Sequence, residues 1–314
     1  MTPAELSRTV RHAVCRAVAD GALAVEVPES VRIERPRPGG RGDWATNVAL
    51  RLAGPAGRSA RAVAEELRAR IAGEPGIGGV EITGAGFLNI TVAEDPLERQ
   101  RGVVERARED AAPGPVGRYA GGSRQDVWDE TVAVLRRLTG YEASDASPVR
   151  VRQCADTSAE LGSDAVRWAF LSAAAHDRAR LEAPLLRQHE SNPLFTVRYA
   201  HSRARALTRE AARLGFAASS ERYLDTDGDT EVERRVADWA EVLDSAARLG
   251  APDRIARHLE GTAEALLGLQ HTVLPVGGEK PSAAHRSRLA LAEAAGAVLA
   301  GGLSLLGISA PEHL

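Results

Sequence analysis

From Gly162 to the C-terminal residue, every apolar run repeats at intervals of three or four and is set off from the next by proline, glycine or a polar break. GSDAVRWAFLSAAAH, the long stretch 184–214, TEVERRVADWAEVLDSAARL, PDRIARHLEGTAEALLGLQHTVL and SAAHRSRLALAEAAGAVLAGGLSLLG all follow this rule. Such spacing gathers apolar side chains on one stripe of a helix, and successive stripes can leave water only by packing on one another. This half is therefore expected to fold as an all-α helical bundle. Pro252 suits the first turn of its fourth helix and Gly307 a stop after its fifth.

The beginning of the chain obeys a different rule. Leu6, Val10, Val14 and Ala17 mark an amphipathic helix over residues 3 to 19, and VRIERP is a short strand candidate broken by Pro36 and Pro38. WATNVALRLA and SARAVAEELRARIA read as helices, the second with Ser59 before it and Val63, Leu67 and Ile71 four apart. VEIT and FLNITV alternate around the turn GAG, the pattern of a hairpin. Residues 1–95 thus read as a small α/β domain with a short sheet, 96–156 as a connector with one or two helices, and 157–314 as the bundle: an α+β chain overall.

At 314 residues the chain can hold two cores. We find no apolar run near the roughly 20 residues needed to cross a bilayer, and MTPAELSRTVRHAV lacks a signal-peptide core, so a cytoplasmic protein without a membrane partner is expected. Cys15 and Cys154 are the only cysteines and fit no metal spacing. Asp225, Asp227, Gly228 and Asp229 faintly match a calcium loop, but Val236 stands where the closing glutamate is required. His258 and His271 read as structural, and no metal or other cofactor is expected.

One stretch stands apart. In SNPLFTVRYAHSRARALTREAARLGF, residues 191 to 216, Ala200, Ala204, Leu207, Ala211 and Leu214 form the buried face. His201, Arg205, Arg209 and Arg213 stack four apart beside it, with Arg198 and Arg203 close by. Net charge is −3, yet Glu210 is the sole acidic residue within this helix after Glu190. Like charges four apart oppose an isolated helix, and a polyanion would offset them through bidentate guanidinium–phosphate bonds. A solvated face, or ion pairs to the acidic segment around Glu231, Glu233 and Asp238, would do so equally well.

NPLFTVRYAHSRARAL resembles the first long helix of the anticodon-binding domain of arginyl-tRNA synthetases, whose pattern is N-P-x-x-Y-x-x-Y-A-H-x-R. LGSDAVRWAFLSAAAHDRARLE is similar to the segment leading into that domain, and LLGISAPEHL to the family's C-terminus, L-L-G-[IV]-x-A-P-E-x-M. RGDWATNVALRLA and GAGFLNITV resemble G-D-[YF]-A-[ST]-N-x-A and G-P-G-F-I-N of the additional N-terminal domain, which in that family grips the tRNA elbow. The resemblance covers about residues 1–95 and 157–314, in family order.

By that resemblance, Asn89 is expected to be an exposed strand residue touching a splayed D-loop base, with Arg35, Arg37 and Arg41 on the backbone. Asp43 and Asn47 are expected to cap and pack. Tyr199 and Arg203 would face the anticodon loop, and Arg198, Arg205, Arg209 and Arg213 its phosphates. Two positions depart from the family. Gln270 stands where the family has an aromatic and Leu314 where it has methionine, which removes contacts implied for the anticodon pocket.

No pair among the eight histidines forms H-x-G-H, and Lys280, the only lysine, is followed by Pro281, so no K-M-S-K-S loop is present. The interval 96–156 is also shorter than the roughly 100 to 200 residues of a doubly wound catalytic domain. The expectation is a non-enzyme: a catalytically inactive paralogue of arginine–tRNA ligase that binds tRNA, with tRNA-Arg one candidate, as an accessory or regulatory factor. Two alternatives remain. It could be the tRNA-binding subunit of a split ligase, partnered by a separate synthetase or other aminoacyl-tRNA-using chain, or a protein-interaction module that has lost RNA.

Overall fold

The computed structural model describes residues 3–34, 36, 42–93, 102, 104–105, 121–141, 148–153, 161–219 and 231–314. Met1–Asp95 and Pro96–Leu314 form two compact units. Arg35, Arg37, Arg41, Cys154 and the Asp225–Asp229 segment lie outside the described residues.

In the first unit, α1 (Pro3–Ala19) and α3 (Ala60–Ala72) arise where the apolar spacing places them. Ser59 caps α3 by accepting from the Ala62 amide. Leu6, Val10, Val14 and Ala17 meet Val63, Leu67 and Ile71 in one core. β2 (Ile77–Thr83) and β3 (Phe87–Val92) form the expected hairpin, and Gly86, at φ +140°, brings the turn against the Ala60 backbone. A Cβ at Gly86 would stand 2.9 Å from the Ala60 carbonyl, so only glycine fits.

WATNVALRLA is not one helix. Trp44–Thr46 is a strand, β1, pairing antiparallel with β3 in a sheet ordered β1-β3-β2, and α2 starts only at Val48 (Val48–Ala53). Trp44 and Thr46 turn inward and β3 supplies the backbone partners, a tertiary choice that periodicity cannot register. Glu34 makes an isolated bridge to Ala45 in place of the expected strand. Asp43 does not cap a helix: its carboxylate accepts from the Val92 amide at 2.8 Å and its own amide donates to Ile90, which pins the end of β3. Asn47 sits at the N-cap of α2 with its Oδ1 buried and without a hydrogen-bond partner.

In the second unit the helices are α4 (Arg124–Thr139), α5 (Ser163–Ser172), α6 (Pro193–Arg213), α7 (Glu231–Ala237), α8 (Trp239–Leu249), α9 (Asp253–Leu269) and α10 (Ala283–Leu305). The segment 230–249, expected as one helix, breaks at Asp238. The stretch 184–214 holds a 3-10 turn at Ala183–Leu186 before α6 begins. α4, the helix expected in the connector, starts with a Ser123–Asp126 capping box. It buries Val127, Trp128, Val132 and Leu135 in the same core as the C-terminal helices, and the Trp128 indole donates to the Gly250 carbonyl at 2.9 Å.

Two buried arginines tie this unit together. Arg124, 1% exposed, donates to the carbonyls of Phe170, Arg152, Asp177, Ala173 and Ala174. Arg167 bonds the Leu306 carbonyl at 2.6 Å and Glu130 at 3.1 Å, holding the C-terminal turn on α5. α10 is long and apolar enough to cross a membrane by length and composition, which corrects the expectation that no run approaches that size. It is apolar nearly all round because it is the central helix, largely buried among its neighbours. Its glycines permit that: a Cβ at Gly296 would stand 2.8 Å from the Ala204 Cβ.

His258 is buried and stacks on Trp239 at 5.7 Å between ring centroids, and its Nε2 and the Trp239 Nε1 have no hydrogen-bond partner. Burial first, and the Arg235 charge second, push its pKa down from 6.5 to about 4. The unfolded chain therefore takes up a proton before the native protein does. Its contribution to stability is complete above pH 6.5 and is lost as the pH falls toward about 4, by at most about 3 kcal/mol. Urea midpoints measured across that window should fall for the protein and fall less for His258→Phe.

Candidate nucleic-acid interface

α6 owes its start to Asn192 and Pro193. The Asn192 amide donates to the carbonyls of Leu185 and Arg187 at 2.8 Å each, anchoring the preceding turn, and Pro193 supplies a preset first helical position. Leu194, Val197, Ala200, Ala204, Leu207 and Ala211 are buried. Leu214, expected on this face, is 50% exposed because the helix ends at Arg213; Phe216 is buried instead, with the Arg286 guanidinium over its ring.

The arginine ridge has partners, and they are not those of α7, where Glu231 pairs with its own Arg234 and Arg235. The C-terminal segment lies along α6. Arg198 pairs with Asp164 and donates to the Ser309 carbonyl at 3.1 Å and hydroxyl at 2.6 Å. His201 Nδ1 stands 3.0 Å from the Pro311 carbonyl, and Ser202 donates to the Glu312 carbonyl. Arg205 pairs with the Glu312 carboxylate at 2.9 Å, Arg209 reaches His313 at 3.4 Å, and Arg213 pairs with Glu210 at 2.6 Å. Burial holds His201 below the usual imidazole pKa, so it is neutral at pH 7 and adds no charge to the ridge.

These partners divide the ridge. Arg198 is only 20% exposed and is bound on two sides, which makes it a clamp between α5 and the C-terminal segment. Arg205 and Arg213 are 49% and 73% exposed, and pairs this open are worth little in water and exchange readily for another anion.

A second face of α6 carries Phe195, Tyr199 and Arg203 at a spacing of four. Tyr199 is exposed and stacks on Phe195 at 5.7 Å with rings 16° apart. Arg203 donates through Nε to Gln270 Oε1 at 2.9 Å, so α6 and the 3-10 turn Gln270–Thr272 bring two expected site residues into contact. Phe195 and Glu312 were not singled out from the sequence. Phe195 was detectable as an aromatic four residues before Tyr199, whereas Glu312 meets Arg205 across 107 positions and leaves no local signal.

Asn89 departs from expectation. It is 5% exposed at the centre of the sheet, facing Ala45 on one side and Glu81 on the other, because β3 is the middle strand. Among the described residues no group of three or more His, Cys, Asp or Glu side chains is placed to hold a metal.

With this geometry in place, comparison with known proteins defines the class. Residues 4–92 match the arginyl tRNA synthetase N terminal domain, and residues 197–314 match the DALR anticodon binding domain. The chain thus carries two domains of the arginyl-tRNA synthetase family. Arginine–tRNA ligase of Frankia alni is 50% identical over 109 residues, 35% of this chain and 20% of that protein. The enzyme of Paenarthrobacter aurescens is 38% identical over 163 residues, 49% and 29% respectively. The chain therefore spans less than a third of the length of these relatives. Thermus thermophilus arginyl-tRNA synthetase superimposes with a TM-score of 0.62 at 11% identity over 100% of both chains, a likeness of fold alone.

Proposed function

We propose that this chain is a non-catalytic, cytoplasmic tRNA-binding protein, serving as an accessory or regulatory factor, whose bundle engages the anticodon arm and whose small domain engages the elbow. The observation that carries this reading is the arrangement on α6: an exposed aromatic pair and Arg203–Gln270 on one face, and the exposed cations Arg205 and Arg213 beside them. Single-stranded loop bases stack on such rings and guanidinium planes, and phosphates fit the cations. The family matches at 4–92 and 197–314 support it, as does a sequence without H-x-G-H or K-M-S-K-S. Supplied with ATP, arginine and tRNA, the purified chain should bind the tRNA and form no arginyl-tRNA. Charging by the chain unaided would refute the reading.

Because the matched segments flank an unmatched interval, a subunit of a split ligase is the second reading. Co-purification with a catalytic chain would distinguish it.

On the first reading, the Glu312 carboxylate competes with RNA phosphate for Arg205. Glu312→Gln should therefore tighten tRNA binding by about twofold to fivefold at moderate salt, the range set by an exposed ion pair. Fluorescence anisotropy with labelled tRNA measures this, and weaker binding by the variant would contradict the competition.

A further inference from the structure

The contact between Arg203 and Gln270 fixes more than position. Gln270 accepts from Arg203 Nε through its Oε1, which uses the acceptor end of the amide and turns the two N–H donors of Nε2 outward. The Arg203 Nη1 and Nη2 groups have no further partner among the described residues. The pair therefore presents only donors. A glutamine reads adenine by offering its oxygen to N6 and its nitrogen to N7 together, and here that oxygen is committed. Guanine, in contrast, offers two adjacent acceptors, O6 and N7, on its Hoogsteen edge. Cytosine also has adjacent acceptors, O2 and N3, but its N4 amino group would face the same donors.

From this geometry we infer that Arg203 and Gln270 form a selectivity device for an unpaired guanine, read through O6 and N7 while its ring lies over the Tyr199–Phe195 stack. The inference rests on the tRNA-binding reading and adds the chemistry of the base. A loop base has its Hoogsteen edge open, as this reading requires. Gln270, the residue that departs from the family resemblance, is the one that makes the constellation donor-only.

RNA hairpins with a seven-uridine loop, carrying guanine or adenine at one loop position at a time, test this with the full chain. At one position guanine should bind on the order of tenfold tighter than adenine. 7-Deazaguanine, which lacks the N7 acceptor, should abolish the difference. Gln270→Glu keeps an oxygen for Arg203 and replaces the outward donor with an acceptor, so it should move the preference toward adenine. Circular dichroism confirms that the variant is folded. Hairpins that bind with no guanine preference at any position, or a preference that survives both 7-deazaguanine and Gln270→Glu, overturn the inference while leaving RNA binding intact. Failure of every hairpin to bind overturns the anticodon-arm reading together with it.

Discussion

Raising salt from 50 to 200 mM should lower the affinity for tRNA by about 40-fold, and replacing Arg205, Arg209 and Arg213 together by glutamine should remove most of that dependence. Each phosphate neutralised by a cation releases condensed counterions, giving a slope of about −0.9 per contact in log affinity against log salt. Three contacts predict a slope near −3. Arg198 is left out of the count because Asp164 and Ser309 already hold it in a half-buried clamp. Arg203 is left out because Gln270 orients it toward a base. Arg205 and Arg213 stand in exposed pairs that water has already weakened, and Arg209 leans on His313 at the outer limit of a hydrogen bond. An anisotropy titration at four salt concentrations gives both slopes. A wild-type slope near zero, or one unchanged in the triple variant, would remove the ridge from the interface.

The largest effect on stability is expected inside the second unit. Arg124→Met should cost about 3 to 5 kcal/mol in urea unfolding, because the side chain that leaves is the only donor set available to a group of buried carbonyls. Its guanidinium reaches Phe170, Ala173 and Ala174 at the end of α5, Asp177 in the loop beyond, and Arg152 before it, at 2.6 to 3.0 Å. These carbonyls come from segments that no other element covers in the same way. Leaving them unpaired in the core costs far more than the packing a methionine restores. Arg124→Lys should rescue little, since one ammonium has three donors on a point charge and cannot span five acceptors in a plane. A loss below about 1 kcal/mol in either variant would show that water or a shifted backbone satisfies the carbonyls.

How far the sequence reaches can be judged from individual residues. Val63, Leu67 and Ile71 revealed α3, and Gly84-Ala85-Gly86 the hairpin, because each signal is local and repeats at the period of its element. Trp44–Thr46 was hidden inside a helical pattern, since a three-residue strand exists only by virtue of its pairing with β3. The break at Asp238 carries no proline or glycine, so two short helices read as one. α4 was legible as a helix, but the Arg124 and Trp128 contacts that bind it into the second unit join residues up to 122 positions apart.

The candidate site divides in the same way. Tyr199, Arg203 and the ridge follow from spacing along α6 and from resemblance, whereas the covering of that ridge by Ser309, Pro311, Glu312 and His313 could only be found in three dimensions. Asn89 shows the opposite error. Alternation on β3 placed it on a strand, but the middle position of β3 in the sheet, which alternation does not encode, buries it.

Hydroxyl-radical footprinting of a tRNA saturated with the intact chain at low salt tests the account at its centre. Protection should fall on the backbone of the anticodon arm and weaken in the Arg205, Arg209 and Arg213 triple variant. A cleavage pattern identical with and without protein, or protection of the anticodon arm that the triple variant leaves unchanged, would contradict it.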